Sequence, residues 1–467
     1  MSDKVENQLN SEEYKYSTKD HISFGFGYFM DNFLTGALGV RLFAFYENEL
    51  LLPVFLVMIA FLIYAIWNMI NDPIIGYIAD KPNRLWKNYG RRFPWIIITI
   101  LPWPLIFLLV FVCPPVSEVG IWFVFLWLVV IICIFDGLYS AWNTNFYSLF
   151  PDKYRSHKER TKVAGIGTAI GQIGIALGFI IPPLFIVYGD LSTYIVAAII
   201  VAIIACIGIL IMIPGVQEDE EMRERILLLE SKQEQESFFK TLKYAIKQKN
   251  FFVYIIAYLC FQSFVFIILG SLPYFVPYIL NVSAEFEALL SAGFLIGSLV
   301  SIAIWAYLLK KFGNRKIFMI GMFLTGIIII PLLFISDVIF TALIMILVGV
   351  GVGAIWIAVY PIYGDVIDEI VVETEKREEA VYFGIRIFFA RIAFIIQAIV
   401  FALIHISTGF DPTLKTQTDL ALLGLRLQMV FIPMLFLFIG GIIFWKWYDL
   451  KPEKVEAIKS RLKDLGI

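Results

Sequence analysis

The chain has 467 residues, of which 60% are hydrophobic and only 16% are charged, with a formal net charge of −2 and a mean hydropathy of +0.82. A soluble protein of this length would divide into several domains and carry far more charge, so the composition excludes the soluble classes. Apolar runs recur along the whole sequence, and each is long enough to cross a hydrocarbon core of about 30 Å. The chain is therefore predicted to be an all-α protein that spans a membrane many times.

Twelve apolar segments can be separated along the chain. We predict membrane-spanning helices at 22–46, 52–79, 94–113, 121–149, 163–188, 193–214, 251–280, 286–309, 315–336, 338–367, 380–406 and 424–448. An amino-terminal tail, a six-helix bundle, a central loop, a second six-helix bundle and a carboxyl-terminal tail are then expected at 1–21, 22–214, 215–250, 251–448 and 449–467. The first tail is polar and lacks a cleavable signal pattern, so we expect the first helix to direct membrane insertion.

The orientation of these helices follows from the positions of lysine and arginine. Of the 37 basic residues, 32 lie in the two tails and in the loops that follow even-numbered helices. Short loops on the opposite side, such as 47–51 and 114–120, carry none. Because basic residues concentrate in cytoplasmic loops, both termini are predicted to be cytoplasmic. Within the central loop, 238–249 is predicted to form a basic amphipathic helix on the membrane surface, with a solvated linker as the alternative.

The two halves of the sequence contain similar loop motifs. Residues 89–92 (YGRR) correspond to 312–316 (FGNRK), and 150–152 (FPD) correspond to 363–365 (YGD). The separations within these pairs, 223 and 213 residues, fit one duplication with small insertions. Two six-helix repeats are typical of transporters that bind their solute near the membrane midplane.

Specific residues then show a family resemblance. Gly76 and Asp80, followed by Gly90-Arg91-Arg92, resemble the loop signature of the major facilitator superfamily, with a longer insertion before Gly90. Further residues resemble the glycoside–pentoside–hexuronide:cation symporter family, the family of melibiose permease. These are Asn71-Asp72-Pro73, Pro94-Trp95, Tyr147-Ser148-Leu149, Pro151 and Glu159-Arg160.

This resemblance implies the major facilitator fold, with two pseudo-symmetric bundles of six helices. It also implies a symporter that couples uptake of a sugar, glycoside or related polar organic solute to a proton or sodium gradient by alternating access. A transporter of the same fold for a lysolipid or another amphipathic solute is the alternative. A polytopic receptor or enzyme is a weaker one, because the sequence has no catalytic triad, HExxH motif or phosphate loop. We therefore predict no enzymatic activity and no cofactor beyond a coupling Na⁺ or H⁺.

The predicted cation site lies in the second helix. Asp72 is about two turns inside an apolar run, and Asn68 precedes it by one turn on the same face. A charge at that depth is costly in lipid, and Na⁺ and protons both need the hard oxygens that Asp72, Asn68 and Asn71 offer. The family carries two aspartates one turn apart, and Asn68 replaces the first of them. That lost charge slightly favours proton coupling over sodium, while a purely structural role of Asp72 is the alternative.

Polar residues of five helices are predicted to contact the solute. They are Asp31, Asn32, Asp136, Tyr139, Asn143, Tyr147, Thr168, Trp356 and Arg391. The members from 136 to 147 share one stripe of the fourth helix, so they can line one wall of a cavity. The family has an aspartate at Asn143 and an arginine at Thr168, which argues against an unchanged galactoside site.

These solute residues also have structural alternatives, and for Asp31 an ion pair with another helix is as compatible with the sequence as a role in solute binding. Those of the fourth helix are also compatible with hydrogen bonds that only join helices, each contributing about 0.6 kcal/mol. Arg391 is expected to neutralise an aspartate when the cation is absent, yet Arg386 and Arg391 also suit a role in holding helices together.

The predicted cytoplasmic gate combines carboxylates at helix ends with basic residues of nearby loops. Its members are Asp80, Arg91, Arg92, Arg160, Asp365, Asp368 and Arg377. Charge pairs of this kind are suited to closing one face of a transporter while the other opens. The predicted partners of the chain are thus a small-molecule solute, a coupling cation and the lipid bilayer, without nucleic acid. We expect a monomer in the cell membrane.

Overall fold

The computed structural model describes residues 15–79, 89–223, 247–374 and 379–464. All regular secondary structure in these ranges is helical, which confirms the predicted all-α class. The long helices, numbered in chain order, are α1 (Thr18–Gly39), α2 (Val54–Ala79), α3 (Phe93–Phe111), α4 (Ile121–Lys153), α5 (His157–Ile180), α6 (Leu191–Val216), α7 (Lys249–Gly270), α8 (Glu285–Phe312), α9 (Asn314–Ile328), α10 (Val338–Thr374), α11 (Glu379–Thr408) and α12 (Asp419–Trp447). Each predicted span overlaps one of them.

Among the helices that the structure describes, eleven are long and apolar enough to cross a membrane. The exception is α1, whose polar first turn and central Asp31 and Asn32 reduce its hydropathy. It begins at Thr18 because Ser17 and Asp20 form a capping box that satisfies exposed backbone N–H groups. A thirteenth helix, α13 (Pro452–Asp464), was not predicted and follows α12 directly. The segment predicted as an amphipathic helix at 238–249 lies, up to residue 246, outside the described residues.

The chain divides into two compact units, Met1–Glu234 and Gln235–Ile467. In the first unit, small residues let α1 and α5 approach closely. A Cβ atom added at Gly174 or Gly178 would lie 2.6 Å from the carbonyl oxygen of Phe29 or Phe33, respectively. Glycine spacing in α5 thus serves backbone packing, as is common where membrane helices touch.

Stacked aromatic rings fix the helices that carry the polar residues of the first unit. The fully buried Trp103 of α3 stacks on Trp142 of α4 with centroids 5.6 Å apart, and Trp142 stacks on Phe146 at 5.2 Å. Phe146 in turn stacks on Phe24 of α1 at 4.6 Å. The register of α4 against α1 and α3 is therefore set by large rings that tolerate little displacement.

In the second unit, α13 is attached to the amino-terminal end of α7 and the carboxyl-terminal end of α10. Lys454 of α13 pairs with Glu369 at 2.7 Å, and Asn250 donates to both Glu369 and Asp449. Burial acts to raise the pKa of Asp449, but hydrogen bonds from Asn250 and Lys454 outweigh it and hold that pKa below its usual value. Together with the buried Ile458, these contacts make α13 part of the second unit.

Candidate functional site

A buried polar cluster joins α2 and α4. The carboxylate of Asp136, which is 2% exposed, accepts hydrogen bonds from Asn68 Nδ2 at 2.7 Å, Asn71 Nδ2 at 2.5 Å and Tyr64 Oη at 3.2 Å. The three donors are spaced four and then three residues apart, so they share one face of α2. This arrangement unites Asn68 and Asn71, predicted for the cation, with Asp136, predicted for the solute.

Both amides must turn their NH₂ groups toward Asp136, because an ionised carboxylate only accepts hydrogen bonds. Their carbonyl oxygens then point elsewhere, and that of Asn71 is buried without a hydrogen-bond partner. An orphaned buried acceptor costs roughly 1–3 kcal/mol unless some other group satisfies it. The cluster therefore offers a carboxylate and an amide oxygen suited to a hard cation.

Asp72 follows Asn71 directly within α2 and stands one turn after Asn68. Its side chain is not among those that the structure describes. Its predicted role thus depends on its place in the helix, where it shares the Asn68 face.

A second polar group joins α1 and α4. Tyr147 Oη donates to Asp31 Oδ2 at 2.7 Å, and the Tyr28 ring meets the Tyr147 ring edge-on at 5.5 Å. Asn32 donates to the Tyr28 carbonyl at 3.0 Å. Because Tyr147 remains 36% exposed, Asp31 and Tyr147 form a hydrogen-bonding pair that a small molecule can reach from one side.

The other predicted solute residues of this unit differ in their surroundings. Tyr139 stacks on Trp103 at 5.5 Å and accepts a hydrogen bond from Asn143 at 3.3 Å, which continues the polar stripe of α4. Thr168 is exposed on α5.

In the second unit, the predicted residues Trp356 and Arg391 are both half-buried, and Trp356 meets Phe294 edge-on at 6.3 Å. The sequence suggests for Arg386 a role in holding helices together, yet Arg386 has the more unusual environment of the two arginines. It is 4% exposed and lies among aromatic rings of α7, α10 and α11. Sequence spacing along α11 gives no sign of this, since the rings come from three helices.

Two of the predicted gate residues, Arg160 and Asp365, have partners within their own units. Arg160 donates to the backbone carbonyls of Tyr154 at 2.5 Å and Pro151 at 3.1 Å, and its side chain thus caps the carboxyl-terminal end of α4. Asp365 accepts from Asn314 at 2.9 Å and pairs with Lys459 of α13 at 3.7 Å. Asp368, next on α10, is half-buried. Asp80 and Arg377 lie outside the described residues.

Arg91 and Arg92 are held by a carboxylate that the sequence did not reveal. Glu218, just after α6, accepts hydrogen bonds from the backbone N–H groups of Arg91 at 3.0 Å, Arg92 at 2.6 Å and Phe93 at 2.9 Å. The Arg92 guanidinium donates to Asn145 Oδ1 at 3.3 Å. Glu218 thus caps the amino terminus of α3, where backbone donors and the helix dipole favour an anion.

Comparison with known proteins places these clusters in context. Residues 23–451 match the family described as MFS/sugar transport protein. The chain is 24% identical over 434 residues to the sodium-dependent lysophosphatidylcholine symporter 1-A of Danio rerio, covering 85% of this chain and 79% of that protein. It is also 24% identical to a putative sulfoquinovose importer of Escherichia coli over 464 residues, covering 96% and 95%.

Solved structures agree on the fold. A crystal structure of a bacterial homologue of the human lysosomal transporter Spinster superimposes with a TM-score of 0.64, covering 97% of this chain and 99% of that one at 13% identity. The family match spans nearly the whole chain, and the described helices within it carry buried polar clusters. The chain therefore belongs to the MFS/sugar transport protein family and is a multi-pass membrane transporter of the major facilitator fold.

Proposed function

We propose that this transporter is a sodium-coupled symporter whose cation site is formed by Asn68, Asn71, Asp72 and Asp136. The observation that carries the proposal is the buried Asn71 oxygen without a hydrogen-bond partner, on the amide whose NH₂ group donates to the Asp136 carboxylate. Carboxylate and amide oxygens are the ligands that hard cations prefer. The sodium dependence stated in the name of the Danio rerio relative supports the same choice.

The choice of sodium differs from the slight preference for a proton that the sequence suggested. That preference depended on Asn68, which removes a carboxylate from α2. Asp136 lies 2.7 Å from the Asn68 amide, so α4 supplies a carboxylate at the position where α2 has lost one. With Asp72, the proposed site again has two acidic residues for one monovalent cation.

The proposed coupling acts through α4, which contributes to both sites of the first unit. Asp136 and Tyr147 are eleven residues apart on this helix, or roughly 16 Å along its axis. A cation that contacts Asp136 competes with the hydrogen bonds that hold α4 to α2. Its binding therefore favours one arrangement of α4 over another, and any such difference in affinity shifts the population of transport states.

For the solute we propose an organic molecule with a polar head group that binds at Asp31 and Tyr147. A hydroxylated head group can replace the Tyr147 hydroxyl as the donor to Asp31, which is half-buried and accessible beside an exposed tyrosine. The solutes named for the two relatives, lysophosphatidylcholine and sulfoquinovose, fit an amphipathic and a sugar-like solute, respectively. Both classes therefore belong in the test.

The test is uptake into proteoliposomes that contain the purified chain. We expect an inward Na⁺ gradient at constant pH to drive accumulation of a sugar derivative or a lysolipid above the level of protein-free vesicles. A pH gradient without Na⁺ should give much less. Accumulation that follows only the pH gradient would contradict sodium coupling but not symport, whereas no driven uptake of either class would contradict both.

We also propose that Asp365 and Asp368 act in a cytoplasmic gate that includes Arg91, Arg92 and Arg160, with Asp80 and Arg377 as further members. Changing both carboxylates to asparagine is expected to favour inward-facing states. A shift of about 1.4 kcal/mol changes a two-state ratio tenfold. Labelling from the cytoplasmic side should then rise at Tyr147→Cys and Trp356→Cys in a background without Cys113, Cys133, Cys206 and Cys260.

Lys459→Ala is the matched control for this gate, because it removes the α13 partner of Asp365 and leaves both carboxylates charged. If Lys459→Ala raises labelling as much as the double variant, Asp365 acts through the docking of α13 and not through a gate. Unchanged labelling in the double variant would reject both roles. In the proposed arrangement the chain is a monomer in the cell membrane, with both termini in the cytoplasm and two bundles at 22–214 and 251–448.

A further inference from the structure

Arg386 of α11 is a buried cation inside an aromatic cage, defined by the rings of Tyr258, Tyr360, Tyr363 and Phe383. Its guanidinium carbon lies 5.1, 4.7, 5.5 and 4.9 Å from their respective ring centroids. The side chain as a whole is only 4% exposed. Because guanidinium stays protonated in proteins, a full positive charge is held at this point.

This charge has no carboxylate partner. Within the described ranges, no aspartate or glutamate forms an ion pair with Arg386, and its Nε and Nη1 atoms are buried without a hydrogen-bond acceptor. Aromatic faces attract the cation, but they do not satisfy N–H groups that point along the guanidinium plane. A buried arginine with unmet donors is costly, so an anion that reaches it would be bound strongly.

Access to Arg386 is governed by two rings of the cage. Tyr360 is 63% exposed and Phe383 is 38% exposed, whereas Tyr258 and Tyr363 are half-buried. Rotation of the two exposed side chains would uncover the guanidinium without movement of a helix. Trp356 and Tyr360 are four residues apart on α10, so the Trp356 ring lies one turn from a ring of the cage.

We propose that Arg386 binds an acidic group of the transported solute, a phosphate, sulfonate or carboxylate. This inference rests on the proposed transport function and specifies its solute class. The tyrosines of the cage would supply hydroxyl donors to the same oxyanion, and Trp356 would contact its uncharged part. Arg391 has a separate role, since five residues along a helix turn it roughly 140° away from Arg386.

The test measures binding of matched acidic and uncharged probes to the purified full-length chain in detergent. One pair is sulfoquinovose and glucose, and the other is lysophosphatidate and monoacylglycerol, so the sugar and lipid sources of the acidic group are separated. Arg386→Gln is expected to weaken binding of the acidic member at least tenfold and that of the uncharged member less than twofold. Arg386→Lys, which keeps the charge, should retain most of the affinity for the acidic probe.

Arg426→Gln is the control arginine of the same unit, since Arg426 donates to the carbonyls of Leu333 and Ile335 at 3.0 Å. Arg426→Gln should lower thermal stability without changing the preference for acidic probes.

Equal weakening of the binding of both probes in Arg386→Gln, or wild-type protein that binds no acidic probe, would overturn the inference. Sodium-driven uptake of an uncharged solute in that case would leave the proposed function intact. If the wild-type chain instead shows no Na⁺-driven uptake but binds acidic probes in a way that depends on Arg386, the proposed transport function is contradicted and the Arg386 site is supported.

Discussion

Replacement of Asp136 by asparagine is expected to abolish Na⁺-driven accumulation of the solute. The variant keeps the shape of the side chain but removes the negative charge that faces Asn68 and Asn71 at 2.7 and 2.5 Å. A hard cation loses a charged ligand, and we expect its binding to weaken about a hundredfold, equivalent to about 2.8 kcal/mol. Exchange of solute without a gradient should persist, because Asp31 and Tyr147 are unchanged.

The experiment compares three variants in the same proteoliposomes. Asp190→Asn is the matched control: Asp190 caps α6 by accepting from the Ser192 N–H, and asparagine caps equally well, so only a surface charge is lost. Asp72→Asn tests the neighbouring carboxylate and should resemble Asp136→Asn. Retention of normal Na⁺-driven accumulation in Asp136→Asn would exclude Asp136 from the cation site and leave its contacts as links between helices.

The twelve long helices and the transporter class could be predicted from the sequence because both depend on short, contiguous stretches of residues. Twelve helices followed from runs of apolar residues, since a membrane helix must satisfy its backbone hydrogen bonds internally and present hydrocarbon to lipid. The transporter class followed from motifs that occupy short stretches of two loops and one helix. Neither result needed knowledge of how the helices face one another.

Contacts between helices were harder to predict. The polar stripe of α4 predicts that Asp136 contacts the solute, but its amide partners lie 68 and 65 residues earlier on α2. Their pairing depends on the rotation and depth of both helices, which large rings such as Trp103 and Trp142 determine. A single sequence shows where the large aromatic residues are, but it does not show how the helices that carry them are aligned with one another.

Arg386 illustrates the same limit for a charged residue. An arginine inside an apolar run indicates a functional or structural role, but its meaning depends on whether a carboxylate or an aromatic ring stands opposite. The structure places rings of three helices around it and no acidic partner within the described residues. Because rings and not a carboxylate surround it, Arg386 is a candidate anion-binding residue and not only a link between helices.

Glu218→Ala is expected to produce the largest loss of stability among these variants. Glu218 accepts from three consecutive backbone N–H groups at the start of α3, at 2.6–3.0 Å. Hydrogen bonds to charged groups contribute about 1.5–3 kcal/mol each, and because the three are not independent we expect a total loss of about 3 kcal/mol. Glu218→Gln should lose less, since one amide oxygen still accepts. The apparent melting temperature in detergent measures both.

Gly90 explains why the loop signature begins with glycine, and it provides the test that separates capping from general disruption. Its φ of +93° suits glycine, and an added Cβ would collide with the Glu218 side chain. Gly90→Ala therefore adds backbone strain and displaces the cap. In a Glu218→Ala background the added Cβ no longer meets the carboxylate, and only the strain and a 2.8 Å contact with the Cβ of residue 218 remain, so Gly90→Ala should lower the melting temperature less there than in the wild type. Equal losses in both backgrounds would show that Gly90 and Glu218 act independently, and the carboxylate would then not be the cap that fixes Arg91 and Arg92.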